Sequence, residues 1–477
     1  MSAVSHRYAR APHLWALGVG AVISGDFFGW QSAMIAGFDG LLIILSVVTV
    51  LYVLLAFSIA ELSSTVPSGG GPYVFALHGI GRKAAFFAGI AESLKVVVTC
   101  AVIVTGIGSY LTQLLGTSDN LVPVWWAVFY VLFCGLNVMG VVLSFRIQLV
   151  TTVLSAILLL IFYVGAATKI SYQDWVVDQN WEFNDGADGI LRGFSFSLWF
   201  YLGIEELPLA VEETIEPERN MPRGLISSIL TLVVFSYCTV IFNSMISPGA
   251  AAIAASGSPL LDGYKSVFGD NSTTSGFTWL LIVGLIASFH SFIFCMGKLL
   301  YAIARDGFMP KILTALDSKR DTPYVSFIAG SSVGLVLAIL LHYIIGDVRL
   351  GSVLINIALI GALVSYTFQL TAFIMLRHRE PSRHRPYKSP FGVWGAYLCL
   401  ALCAFVLFTI VYSGAKDSDF FASIAVALVY FFLGGVYFWY AVDPSAGSHL
   451  LLDPETGMPS TPAKMNESLL TPQGHKV

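Results

Sequence analysis

Charge is scarce in this chain. Only 11% of its 477 residues are Asp, Glu, Lys or Arg, against roughly 25% in a typical soluble domain. Hydrophobic residues make up 56% and the mean hydropathy is +0.78, so lipid is the expected solvent. Other absences narrow the class. No G-x-x-x-x-G-K-[ST] loop is present, which argues against a nucleotide-driven pump, and no H-E-x-x-H or comparable constellation points to a membrane enzyme. The net charge of −4 offers no basic excess for nucleic acid. No cysteine falls in a loop: Cys100, Cys134, Cys238, Cys295, Cys399 and Cys403 all lie inside apolar stretches. They read as small buried hydrophobes, so neither a disulfide framework nor a metal or cofactor is expected. The first thirteen residues are polar and basic, unlike a cleavable signal peptide.

What remains is apolar runs. A membrane-spanning helix needs about 20 predominantly apolar residues. Twelve stretches qualify, roughly 13–37, 41–62, 84–115, 122–143, 147–169, 191–211, 225–247, 276–304, 324–345, 350–376, 393–414 and 419–441. The ninth and tenth are parted only by a short loop holding Asp347 and Arg349. With a cytosolic N-terminus, 18 Lys and Arg fall in inner loops and tails and 5 in outer ones, so both termini are expected in the cytosol. The expected layout is a tail (1–12), a ten-span core of two repeats (13–170 and 190–376), two peripheral spans (393–441) and a disordered cytosolic tail (442–477). The sequon at Asn271 then faces outward and the one at Asn466 inward.

Two spans do not read as plain helices. The first contains Ser24-Gly25-Asp26-Phe27-Phe28-Gly29-Trp30-Gln31, with two glycines around a carboxylate. The sixth contains Trp199-Phe200-Tyr201-Leu202-Gly203-Ile204-Glu205-Glu206-Leu207-Pro208, with a glycine, two carboxylates and a proline. Charged groups inside a membrane are costly and face a cavity or a partner. Backbone freed by Gly and Pro is tolerated only where it is buried in protein or lines a cavity. Matching interruptions in corresponding spans of two five-helix repeats point to the substrate site of an inverted-repeat transporter. In the third span, Glu92 and Lys95 share a helical face at i, i+3, with Lys95 about 16 Å into the span at 1.5 Å per residue.

At these residues the chain resembles the amino acid–polyamine–organocation (APC) superfamily of permeases, and within it the ethanolamine permeases. The resemblance rests on Val22 to Trp30, on Pro67-Ser68-Gly69-Gly70-Gly71-Pro72-Tyr73, on span six with its exit Glu212-Glu213-Thr214-Ile215-Glu216-Pro217 through Arg223, and on Ser288-Phe289-His290 followed by Tyr301 to Pro310. It implies an all-α membrane fold of twelve transmembrane helices. Ten form a LeuT-like five-plus-five inverted repeat with helices 1 and 6 discontinuous, and two are peripheral. It also implies alternating access around a midplane site.

The candidate substrate-binding residues are Gly25, Asp26, Gly29, Trp30, Gln31, Trp199, Tyr201, Gly203, Glu205 and Glu206. Those for coupling or gating are Glu92, Lys95, Ser288, His290 and Ser291. Amino-acid members of the superfamily typically carry Gly-small-Gly where the substrate carboxylate is clasped, whereas this chain has Gly29-Trp30-Gln31. That change suits an amine without a carboxylate, with Asp26 offered to the ammonium. Trp30 also reads as a packing aromatic, and Glu206 as an acid bonded to freed backbone. Lys95, where the ethanolamine branch tends toward an acid, reads as a counter-ion for Glu92 or Glu205, or else as a switch of substrate charge. His290 reads more readily as a packing residue than as a proton relay, and Lys298 and Arg305 as anchors or gates. The coupling ion is open: H+ through Glu205, Glu206 or Asp26, or Na+ held by Ser288, Ser291 and span-one carbonyls.

The leading function is a secondary active transporter of a small amine-bearing solute, amino acid or ethanolamine-like, in a bilayer such as the plasma membrane. A transporter-like nutrient receptor is the rival from another class. A heavy-chain-dependent exchanger is disfavoured, since Gly116-Thr117-Ser118-Asp119-Asn120 has no cysteine for a disulfide-linked partner.

Overall fold

The computed structural model describes residues 7–269 and 272–447. The sequons at Asn271 and Asn466 and the tail beyond 447 lie outside the described residues. Within them every named element is helical and no strand occurs. The α-helices are α1 Ala11–Val22, α2 Ser24–Phe27, α3 Phe38–Thr65, α4 Pro72–Gly79, α5 Arg82–Leu115, α6 Val122–Val138, α7 Val141–Ala166 and α8 Gly186–Ser197. They continue as α9 Pro217–Ser244, α10 Ala250–Ala254, α11 Pro259–Phe268, α12 Ser272–Arg305, α13 Tyr324–Ile345, α14 Asp347–Arg379, α15 Gly392–Gly414 and α16 Ser418–Ala441.

Among the described residues nine helices are long and apolar enough to cross a membrane: α3, α5, α7, α9, α12, α13, α14, α15 and α16. This is an integral, multi-pass membrane protein. Burial sorts the helices into posts and outer staves. The most apolar stretch of α5 is 89% buried within the protein and that of α16 only 17%. α12 and α14 pack along α5. On α16 and α13, large apolar side chains such as Phe432 and Val336 point outward, as expected of surfaces solvated by lipid.

The remaining predicted spans are shorter or broken. The fourth is α6, with 17 residues. Its predicted end at 143 is too late: Met139 and Gly140 make the turn, Gly140 adopts φ 128°, and α7 has begun by Val141. The first is α1, α2 and a 3-10 segment Trp30–Ala36, and the sixth is α8 followed by 3-10 segments Leu198–Phe200 and Ile204–Ala210.

Two further expectations need correction, and two features were not anticipated. Arg349 is not in a loop: Gly346 alone separates α13 from α14, and Arg349 pairs with Asp419 of α16. The N-terminal tail is tied to the core at residues 8 and 9, where the Tyr8 and Ala9 amides donate to the Glu213 carbonyl and the Ile215 amide donates to the Ala9 carbonyl. The chain after Asp443 is not free at once: Val442 and Ala446 are buried, and the Gly447 amide donates to the Asp306 carbonyl at 2.8 Å. Two short helices, α10 and α11, sit in the loop before α12; α11 stacks Tyr264 on Phe162 of α7.

One polar clamp ties the ends of α3 and α14. Glu61, buried on α3, accepts from Arg377 Nε at 2.8 Å, from the Ser389 amide at 2.7 Å, and pairs with Arg385 at 3.2 Å. Glu61→Ala would strand two cationic side chains near the bundle. We expect it to lower stability by about 3 kcal/mol, the low end for a broken buried pair because Arg377 keeps some solvent contact. The check is the thermal transition of purified protein in detergent; an unchanged transition would show that the clamp does not hold these helix ends.

Candidate functional site

The two broken spans meet at backbone distance. α1 ends at Val22 and α2 begins at Ser24, so the first interruption comes earlier than the glycine pair alone suggested. Ser288 of α12 splices it: Ser288 Oγ accepts the Ser24 amide at 3.0 Å and donates to the Gly20 carbonyl at 2.7 Å. The second interruption is at Phe28, which is extended, and Gly29, at φ 95°. A left-handed φ costs a residue with a Cβ far more than glycine. Gly203 of span six, at φ 117°, has the same role there.

Gly25 is where the chains touch. A Cβ on it would lie 2.7 Å from the Trp199 carbonyl oxygen and 3.2 Å from Phe200 Cα, so only a glycine lets the backbones approach this closely. The Trp199 indole then donates to the Phe28 carbonyl at 2.9 Å, covering an acceptor freed by the break. Gln31 folds back on the same break: its Oε1 accepts the Gly29 amide at 2.7 Å and its Nε2 donates to the Ser256 carbonyl at 3.0 Å. Trp30 is fully buried, tilted over Phe200 at 5.8 Å between centroids, and its Nε1 has no partner among the described residues. A cavity of about 550 Å³, the vestibule, opens beside these residues. It is lined by Phe28, Gly29, Gln31, Thr105, Gln113 and Trp126 among others, and none of its lining residues is charged.

Below the contact lies a buried charge cluster. Lys95 Nζ is 2.7 Å from an oxygen of each of Glu92, Glu205 and Glu206, all at most 1% exposed. The ammonium therefore serves three carboxylates, where the sequence offered Glu92 or Glu205. Glu205 has further donors, Tyr366 Oη at 2.5 Å and the Gly203 amide at 3.1 Å. Glu206, which read as an acid bonded to freed backbone, turns toward Lys95 instead.

At the opposite end from the vestibule, the exits of spans six and eight and the helix α4 are laced together by polar pairs. Glu212 pairs with Arg305 at 2.7 Å, Glu213 with Lys298, and Tyr73 with Asp306.

Residues 13–434 match the family described as Amino acid permease. The chain belongs to that family. It is 28% identical over 419 residues to an uncharacterised transporter of Rhizobium meliloti, covering 83% of this chain and 85% of that one. It is 25% identical over 449 residues to the methylthioribose transporter of Bacillus subtilis (90% and 93% covered) and 23% over 445 residues to that organism's branched-chain amino acid permease BcaP (87% and 90%). The molecule is a membrane transporter, not an enzyme.

Within this permease, the remaining candidate residues fall in different places. Asp26 is buried on α2 and faces α9, where Thr239 Oγ1 donates to it at 2.7 Å. Tyr201 also turns to that side, its hydroxyl shared between Thr49 at 2.7 Å and Ser236 at 2.6 Å. His290 stands apart from the contact of the broken helices. Its ring nitrogens are engaged by Asn137 and by the Ser144 carbonyl, both at 3.1 Å, on α6 and α7. Ser291 makes a long 3.4 Å bond to the Leu17 carbonyl. Tyr366, Tyr52 and Thr239 were not singled out from the sequence. A mid-span hydroxyl on an apolar helix looks the same whether it packs or serves a carboxylate.

Two substitutions test this geometry in the permease. Gly25→Ala places a methyl against backbone that cannot rotate aside, so uptake should fall at least about tenfold, equivalent to about 1.4 kcal/mol, with protein still present in the membrane. Near-normal uptake would mean the two breaks do not touch. Lys95→Met should lose about 3–5 kcal/mol by leaving buried carboxylates unpaired. Adding Glu205→Gln should recover part of the folded yield, and a silent Lys95→Met would show that the cluster does not form.

Proposed function

We propose that this permease is a secondary active transporter that carries a small amine-bearing solute without a carboxylate, of the ethanolamine type, within the wider class of amino-acid-like solutes. The observation that carries this reading is the state of the freed amides. An α-amino acid needs unengaged N–H groups at the first break for its carboxylate. Here the Ser24 amide is taken by Ser288 Oγ and the Gly29 amide by Gln31 Oε1. A carboxylate, by contrast, stands at the same break: Asp26 is buried on α2, accepts from the Thr239 hydroxyl at 2.7 Å, and is the acid an ammonium-bearing solute would complement. The names of the relatives, which include a methylthioribose transporter as well as amino acid permeases, support small polar solutes in general and leave room for one that is not an amino acid.

The working architecture is twelve crossings in a five-plus-five inverted repeat, 13–170 and 190–376, with two peripheral helices and both termini in the cytosol. It is supported by the paired interruptions in spans one and six and by the 18-to-5 bias of basic residues. On that orientation the uncharged vestibule faces outward and the Glu212–Arg305 and Glu213–Lys298 pairs close the cytosolic side.

Competition for uptake tests the substrate class. Ethanolamine should inhibit uptake more strongly than glycine, its carboxylate counterpart. Stronger inhibition by glycine would show that the first break still binds a carboxylate. An epitope added at the C-terminus should be unreachable by antibody on intact cells; labelling from outside would reverse the orientation.

A further inference from the structure

The Lys95 cluster is out of charge balance. Three carboxylates surround one ammonium, and all four side chains are buried within 1%. The ammonium donates to Glu92 and to Glu205, and Glu206 Oε1, also 2.7 Å away, receives no hydrogen bond from it. Like charges sharing one dry site cannot all ionise; one or more stays protonated.

The surroundings rank the three acids. Glu205 is held by Lys95, by the Tyr366 hydroxyl at 2.5 Å and by the Gly203 amide at 3.1 Å, and Tyr52 backs Tyr366 at 3.1 Å. Three donors suit the ionised form. Glu92 accepts from Lys95 at Oε1, with Ser365 of α14 nearby, while its Oε2 is buried without a donor among the described residues. Glu206 has least: Oε1 is 2.7 Å from Lys95 Nζ, but neither Oε1 nor Oε2 has a hydrogen-bond donor among the described residues. The other groups facing Glu206 are the thiols of Cys100 on α5 and Cys295 on α12, both close enough to interact with it electrostatically. A thiol sulfur is a weak acceptor and a poor counter-ion. One turn toward the vestibule, Thr99 Oγ1 is buried and also without a partner among the described residues. A metal cation there would meet the ammonium at the centre of the cluster, whereas a proton bonds to one oxygen and needs no shell of its own.

We propose that this cluster is a proton-binding site, with Glu206 as the carboxylate that loads and releases a proton during the transport cycle. Loading forms one O–H bond on Glu206 and breaks one on a hydronium ion of water that enters the deepened cavity, and release returns the proton to water. Thr105, which lines the vestibule, is ten residues beyond Lys95 on α5, about 15 Å at 1.5 Å per residue. The site is therefore sealed in this conformation, and proton exchange waits for the cavity to deepen. That sealing is what coupling requires, because a proton free to leave at any time drives nothing. The proton site rests on the transporter reading but not on the identity of the solute.

Infrared spectroscopy of purified protein at neutral pH tests it without a substrate. The spectrum should contain the carbonyl stretch of a neutral carboxylic acid, and Glu206→Gln should remove a component of it that Glu92→Gln and Asp26→Asn leave in place. A spectrum unchanged by Glu206→Gln overturns the proposal. If that variant does not fold, Glu206→Asp should move the component in frequency, and failure to move it is equally fatal. In proteoliposomes, accumulation of ethanolamine driven by a pH gradient should fall, in Glu206→Gln, to the level seen without a gradient. Solute-for-solute exchange should be reduced less. Gradient-driven accumulation that persists overturns the coupling role. Absence of ethanolamine exchange in wild type, with the infrared component present and lost on substitution, supports the proton site and refutes only the solute assignment.

Discussion

A helix broken inside a membrane must find new partners for every peptide group it frees, because lipid offers none. That constraint organises the centre of this permease. Ser288 reaches from α12 to mend the first break, the Trp199 indole covers the carbonyl of the second, and Gln31 turns back on the amide beside it. Each of these groups lies on a different element, so the breaks persist only while α12 and span six stay packed on span one. The close approach at Gly25 follows from the same demand: the two interruptions must be near enough to share side chains. A packed, discontinuous pair with few internal hydrogen bonds is also the element most able to rearrange, since its alternatives differ in side-chain partners rather than in whole helical turns.

Electrostatics adds a second layer that the first makes possible. Span six presents two adjacent carboxylates to α5 from the first turn of the 3-10 segment that follows the break at Gly203. Lys95 then collects both, together with Glu92 one turn away on its own helix. The cluster links α5, span six and, through Tyr366, α14. It therefore joins elements of both proposed repeats at a point beneath the vestibule. On the far side the polar pairs differ in exposure: Glu212–Arg305 is partly exposed, whereas Glu213–Lys298 and Tyr73–Asp306 are buried. The exposed pair is cheap to open, since exposed ion pairs contribute about 0–1 kcal/mol each, while separating a buried pair costs more.

How much of this the sequence carried depends on the range of each interaction. The breaks were legible because Gly, Pro and acids are costly together inside an apolar run unless the helix is interrupted there. The Glu92–Lys95 face follows from helical spacing alone. The meeting of Lys95 with Glu205 and Glu206 is a contact across more than one hundred residues, as the 110-residue separation of Lys95 and Glu205 shows. Periodicity could name the participants but not the three-to-one arrangement. Thr239 opposite Asp26, and Tyr366 behind Glu205, were hidden for the same reason. Helix boundaries failed where hydropathy continues through a turn, as at Met139–Gly140. The ordered start of the tail was missed because Gly447 and Ala446 dock on the α12 exit through backbone and small contacts that leave no compositional mark.

On the proposed alternating-access reading, the vestibule and the charged far side open in turn around the Gly25–Trp199 contact. Spin labels at Gln113 and Ser352 would report the width of the vestibule, and labels at Glu218 and Ile312 the width of the opposite face. Pulsed electron resonance distances should move in opposite directions when ethanolamine is added to purified permease in lipid: the first pair shortening, the second lengthening. Distances that stay fixed, or that change in the same direction, would contradict it.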